Sequence, residues 1–141
     1  MEQIPFRINR IDNQKIDMHP ELVNPNTNEY QINTRYAFTG SLVNNVIGCR
    51  GEYRFYQGEN EVSCLIVDCY FDIDPLYVNQ NKKEDGSLTV DKEFLRYLAT
   101  INVGTARGIQ HVRTQNTILN DVVIPPINLT TLELNDIIIK D

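Results

Sequence analysis

Tryptophan is absent from the chain, and His19 and His111 are its only histidines. One falls in a loop-like stretch and the other in a helix-like one, without carboxylate or thiolate neighbours at ligand spacing. Nor is there an HxH, HExxH, CxxC or GxSxG pattern, or a glycine-rich loop to cradle phosphate. The chain is therefore expected not to be an enzyme and to hold no metal or cofactor. Cysteine is scarce too: Cys49, Cys64 and Cys69 are odd in number and lie in strand-like runs, the setting of buried small hydrophobes rather than of a disulfide framework. No apolar run approaches the roughly 20 residues of a membrane span, and no basic-then-apolar leader is visible. A cytoplasmic protein without membrane insertion is expected, in which the sequon Asn128-Leu129-Thr130 has no consequence. Positive charge is in deficit, with 13 Lys and Arg against 19 Asp and Glu, a net charge of -6 and a pI near 4.9. Nucleic acid binding needs phosphate neutralisation, so this balance argues against it and favours basic partners.

What is present suits one globular domain over residues 1–141, 41% hydrophobic and 23% charged. Residues 3–11 alternate, with Ile4, Phe6 and Ile8 on one face, and Pro5 suits an edge strand. Residues 12–28 read as a long polar connection containing Pro20 and Pro25. From Tyr30 to Leu42 the alternation is clean: Tyr30, Ile32, Tyr36, Phe38 and Leu42 share a face. A turn at Asn44-Asn45 leads to a third strand through Ile47, Cys49, Tyr53 and Phe55, and Gly58-Glu59-Asn60 makes the next turn. The fourth strand, Glu61 to Ile73, is apolar on both faces in its middle, so a helix should cover one face and a partner subunit the other.

Pro75 should end the sheet, with residues 79–87 as a polar loop. Asp91 then caps a helix on which Phe94, Leu98, Ile101, Thr105, Gly108 and Val112 form one stripe, widened by Leu95 and Ile109. Gly104 and Gly108, one turn apart, predict close backbone packing or a kink. Residues 116–121 form the exit, and Pro125-Pro126 hold residues 122–129 extended. The tail from Thr130 is read as a short helix, although Ile137-Ile138-Ile139 favours a strand. The fold class is α+β: a four-stranded antiparallel sheet, a long helix and a short C-terminal helix. Asp68, Asp72 and Asp74 recur at period two on one strand. A solvated strand end explains them better than a cation site, with an acidic docking patch as the alternative. Arg107 and Arg113 read as solvated helix charges.

Two stretches resemble the SecB family of protein-export chaperones. One is the opening PFRINRIDNQKID. The other pairs Ala106-Arg107 in the long helix with Pro126-Ile127-Asn128-Leu129 some twenty residues on, with Ile124 in the place of a leucine. Thr117 and Asn120 stand where that family has a glycine and a proline, Leu129 replaces a phenylalanine, and the C-terminal segment is shorter. The resemblance implies a homotetramer built as a dimer of dimers, with sheets packing across subunits. It also implies an ATP-independent chaperone binding unfolded polypeptides, in protein export or, alternatively, dedicated to a toxin–antitoxin system. An oligomeric interaction module without chaperone activity is a further reading. The implied groove lies between residues 13–28, residues 129–138 and the sheet, with Tyr30, Tyr36, Phe38, Leu129, Leu132 and Leu134 as candidates. Asp68 and Asp72 are candidates for docking a translocase motor, and an antitoxin is the other implied partner.

Overall fold

The computed structural model describes residues 4–125 and 132–141. Four long strands, β1 (Phe6–Met18), β2 (Gln31–Ser41), β3 (Val46–Gln57) and β4 (Asn60–Ile73), form an antiparallel sheet in the order β1-β4-β3-β2. A short helix, α1 (Pro75–Asn81), and a three-residue strand, β5 (Leu88–Val90), lead into the long helix α2 (Lys92–Arg113). The chain closes with β6 (Ile137–Ile139), which pairs antiparallel with β5. The class is α+β, as expected, with a second small sheet added.

The two central turns follow the side-chain chemistry. Asn45 takes a left-handed φ of 53° between β2 and β3, and Gly58 one of 60° between β3 and β4. The first strand is longer than its alternation suggested, running on through Met18 and shortening the connection. Its register against β4 slips between Ile8 and Arg10 and again between Asn13 and Lys15. Each slip adds a residue, so the face-sharing apolar positions become 6, 8, 11, 16 and 18, a sequence with no period of two.

Pro75 does not simply end the sheet. It opens α1, where its missing N–H costs nothing, and Asp74 accepts from the Leu76 N–H at 3.0 Å. Seven residues give too little periodicity to show in sequence. Asp91 caps α2 as expected, accepting from the Glu93 N–H at 2.6 Å. The tail, expected as a short helix, instead forms β6. Three consecutive β-branched isoleucines prefer the extended chain, and Ile139 is buried while Ile138 faces out. The expected cap at Thr130 or Thr131 lies outside the described residues.

The helix packs on one face of the sheet, over Leu65, Val67, Cys69, Phe71 and Ile73 of β4, all buried. From α2 this core takes Phe94, Leu95, Leu98, Ala99, Val103 and Ala106. The buried face is rotated from the expected stripe: Gly108 and Val112 are exposed, and Asn102 and Gln110 are buried in their place. Asn102 is tolerated because its polar atoms are all engaged. Its amide donates to the carbonyls of Cys49 and Val67 at 3.0 and 3.1 Å, and its oxygen accepts from the Tyr53 hydroxyl at 2.6 Å. Gly51 makes the room, since a Cβ there would lie 2.1 Å from that oxygen. The opposite face of β4 is not the apolar surface expected to need a partner subunit. Its residues Cys64, Ile66, Asp68, Tyr70 and Asp72 are flanked by charged side chains of β1 and β3.

Candidate functional site

Three regions bear on function: the fringe of the core along β2, the charged outer face of the sheet, and the two flanks of α2. On β2, Tyr36 lies opposite Gly51, and Phe38 opposite Cys49, on the side facing α2. Tyr30, Ile32, Tyr36 and Phe38 are half-buried and pack against the core, as do Leu132 and Leu134 from the tail. The structure thus draws five of the six candidate groove residues to the margin of one apolar cluster. Leu129 lies outside the described residues. The Tyr36 ring meets Tyr53 edge-on at 6.0 Å, and burial pushes the hydroxyls of both tyrosines above their ordinary pKa. Among the described residues, the outer edge of β2 pairs with no strand of the main sheet. An exposed edge beside an apolar face can accept an extended chain.

On the outer face the two candidate docking carboxylates are already held. Asp68, 5% exposed, accepts two bonds from Arg50, at 2.8 and 2.9 Å. Asp72 accepts from Arg7 at 3.2 Å and from Asn9 at 3.0 Å. Asp74, the third of the series, is the α1 cap. Further pairs join Arg10 to Asp12, Lys15 to Asp17 and Arg54 to Glu61, at 3.0, 3.5 and 3.0 Å. Arg10 also lies 4.4 Å over the Tyr70 ring. This face is electrically balanced, so a basic partner would have to displace arginines to reach Asp68 or Asp72.

The flanks of α2 differ. On one, the chain returns beside the helix, and Arg107 fastens it. The guanidinium donates to the carbonyls of Ile124 and Pro125 at 2.7 and 3.1 Å, and Gln110 accepts from the Ile124 N–H at 3.2 Å. Arg107 is therefore a clamp and not the solvated charge expected. Neighbouring Ala106 is fully buried. Thr117 and Asn120 build the turn by hydrogen bonding. Thr117 donates to the Thr114 carbonyl at 2.8 Å, and Asn120 donates to the His111 carbonyl at 3.0 Å. Asn116 supplies the left-handed residue, with φ of 66°.

The other flank faces β1 and, among the described residues, carries no cover. Ile8 and Ile11 are 46% and 44% exposed, and Val112 of α2 is 63% exposed. A groove of about 440 Å³ runs there between Asn13 and the Gly104, Thr105, Gly108, Ile109 and Val112 side of the helix. A Cβ built on Gly104 or Gly108 would meet nothing within 4 Å. Among the described residues the predicted close packing at these glycines does not occur, and α2 is continuous through both.

His19 pairs with Glu21 at 3.0 Å, and among the described residues no group of three or more His, Cys, Asp or Glu could hold a metal ion. No described helix is long and apolar enough to cross a membrane. No protein-family model, no curated protein and no solved structure matches the chain.

Proposed function

We propose that the protein is an ATP-independent chaperone that holds extended, apolar segments of unfolded polypeptide, acting in the cytoplasm as a homo-oligomer and without catalysis. The observation that carries this reading is the β2 margin. Tyr30, Ile32, Tyr36 and Phe38 present a half-buried apolar strip beside a strand edge that no described strand of the main sheet pairs, and Leu132 and Leu134 pack against the same core. A client strand would gain backbone bonds from the edge and side-chain contacts from the strip, without ATP or covalent chemistry. The tyrosine rings add apolar area to the strip, and the Tyr36 hydroxyl is buried within it. Holding the unfolded state lowers the free concentration that aggregates.

Of the two settings, export and service to a single partner such as an antitoxin, the outer face favours the second. Export through a basic motor region would call on free carboxylates, whereas Asp68 and Asp72 are engaged by Arg50, Arg7 and Asn9. The test is light scattering of a chemically denatured, aggregation-prone client diluted into the purified protein. The expected result is suppression near stoichiometry, lost in Phe38→Asp. Aggregation undiminished at tenfold molar excess of folded protein would end the chaperone reading.

A further inference from the structure

Asn102 fixes which backbone groups of β2 face the open edge. Its amide donates to the carbonyls of both Cys49 and Val67, so both carbonyls point into the gap between β3 and β4. Two further bonds share that phase. The Ile73 N–H turns to Asn45 at the head of β3, and the Asp74 N–H turns the other way, to Pro5 ahead of β1. Backbone groups alternate in direction along an antiparallel strand. Arg50, Glu52 and Arg54 of β3 therefore turn theirs to β2, where Ala37, Arg35 and Asn33 take them up. The N–H and C=O groups of Ile32, Thr34, Tyr36 and Phe38 are left facing the open edge. Apart from Thr34, these are residues of the half-buried strip. The strip ends at Phe38, because Ile139 of β6 already occupies the inner side at Gly40.

The other side of the same edge carries a single charge. Arg35 is the only charged residue of β2, and it shares the outer side with Ala37 and Thr39, which line a hollow beside Arg50 and Asp68. It is exposed and, among the described residues, forms no ion pair. Glu52, opposite Arg35 on β3, stands near enough to Arg50 and Arg54 to bear on the titration of both. Those two arginines are held in turn by Asp68 and Glu61. A strand docked on the edge places one residue against Arg35. That position is not hydrogen-bonded, and there facing side chains come closest. Edge charges commonly keep other strands away. Arg35 leaves the apolar side free and repels only a cation set against it, so it filters rather than blocks.

We propose that the β2 edge selects its clients by charge. It takes an extended segment antiparallel to β2, with apolar side chains against Ile32, Tyr36 and Phe38 and a carboxylate on the opposite face against Arg35. A segment that sets Lys or Arg at that place is discriminated against. This selectivity rests on the client reading above and adds to it the class of segment bound and the residue that recognises it.

The probe is a short labelled peptide with valine and phenylalanine on one face. The other face is threonine except for a central Glu, Gln or Lys. Binding to the purified full chain is followed by fluorescence anisotropy. The Glu peptide should bind about fivefold more tightly than the Lys peptide, with Gln between, and the spread should shrink at about 0.5 M salt. Arg35→Glu should reverse the order, and Arg35→Gln should abolish the spread. Arg35 is exposed, so both variants should keep the native circular dichroism and melting temperature. On binding, amide exchange should slow at Ile32, Thr34, Tyr36 and Phe38. It should not change at Asn33, Arg35 and Ala37, whose N–H groups already bond β3. Equal binding of the three peptides, an unchanged order in folded Arg35→Glu, or no added protection at Ile32, Thr34, Tyr36 and Phe38 would each overturn the proposal. Equal binding that Phe38→Asp abolishes would end charge selection and leave the chaperone reading standing. No binding of any peptide, together with undiminished client aggregation, would remove both.

Discussion

The two flanks of α2 show what a completed surface and an uncompleted one look like in the same molecule. On the flank with the return segment, polar groups find partners: Arg107 holds the carbonyls of Ile124 and Pro125, and Gln110 takes the Ile124 N–H. Its glycine is filled from outside, because Ile139 packs where a Cβ of Gly40 would stand, 2.3 Å from its Cδ1. On the β1 flank the glycines meet none of the described residues, and Ile8 and Ile11 of β1 are nearly half exposed. Glycine thus means two different things. Under the helix and on the covered flank it makes room for a side chain already present. On the bare flank it leaves room that none of the described residues fills.

One substitution applied across that divide should change sign. Gly51→Ala drives a methyl to 2.1 Å from the Asn102 oxygen and to 2.6 Å from the Tyr53 hydroxyl, in a network with no slack. The loss should be the largest, about 3 kcal/mol, from overpacking plus a broken buried hydrogen bond. Gly40→Ala meets the branched body of Ile139 as well as its end, Cγ1 at 2.8 Å and Cγ2 at 3.2 Å, so a loss of about 2 kcal/mol is expected as that buried side chain is displaced. Gly104→Ala meets nothing and should gain up to about 1 kcal/mol through helix propensity. Urea unfolding at low protein concentration, where association is minimal, checks all three. A destabilised Gly104→Ala monomer would contradict the open flank.

The clamp sharpens the comparison at a smaller scale. Arg107→Ala removes two hydrogen bonds from a charged donor and should cost about 2 kcal/mol. The loss should appear as faster amide exchange in residues 119–125. Arg113→Ala, six residues along the helix and exposed, should change stability by less than about 0.5 kcal/mol. Equal effects from the two arginines would mean that the return segment is held by something other than this side chain.

These differences also explain what could be read before the fold was known. The hairpins from β2 to β4 and the Asp91 cap were legible, because an unbroken period of two and a capping aspartate are local signals. β1 beyond Ile11 was not, since two register slips erase its period. The burial of Asn102 and Gln110 was hidden as well. Their partners are backbone groups dozens of residues away or on the far side of a turn, which no spacing rule encodes. The Ala106-Arg107 pair carries a family resemblance, but its physical task, one residue packing and the other clamping the later segment, appears only in three dimensions. The apolar look of β4 misled for a different reason. Cys64 is 1% exposed on the charged outer face, while Lys15, Arg54 and Glu61 are near enough to bear on its titration. Long charged side chains with apolar stems can cover such a residue.

That last point separates the three thiols. Cys49 and Cys69 lie opposite each other beneath α2, whereas Cys64 lies on the outer face beneath side chains alone. Burial raises the pKa of all three above the ordinary thiol value, and Cys69 is additionally approached by the Asn102 amide at 3.6 Å. A thiol with a raised folded pKa binds its proton where the unfolded chain has already lost it. Its stabilising effect is therefore complete below the unfolded thiol range and declines as pH rises beyond about 8.5. Stability should accordingly fall on the alkaline side, and replacing Cys49 by Ala should flatten that fall, although the vacated space lowers stability at every pH. A native chain treated with an aromatic disulfide reagent at pH 8 should react at Cys64 first, because side chains move aside more readily than a helix. Cys49 and Cys69 should wait for unfolding. If all three react together at the rate of global unfolding, the outer-face cover is as firm as α2, and the difference between the two faces is one of composition alone.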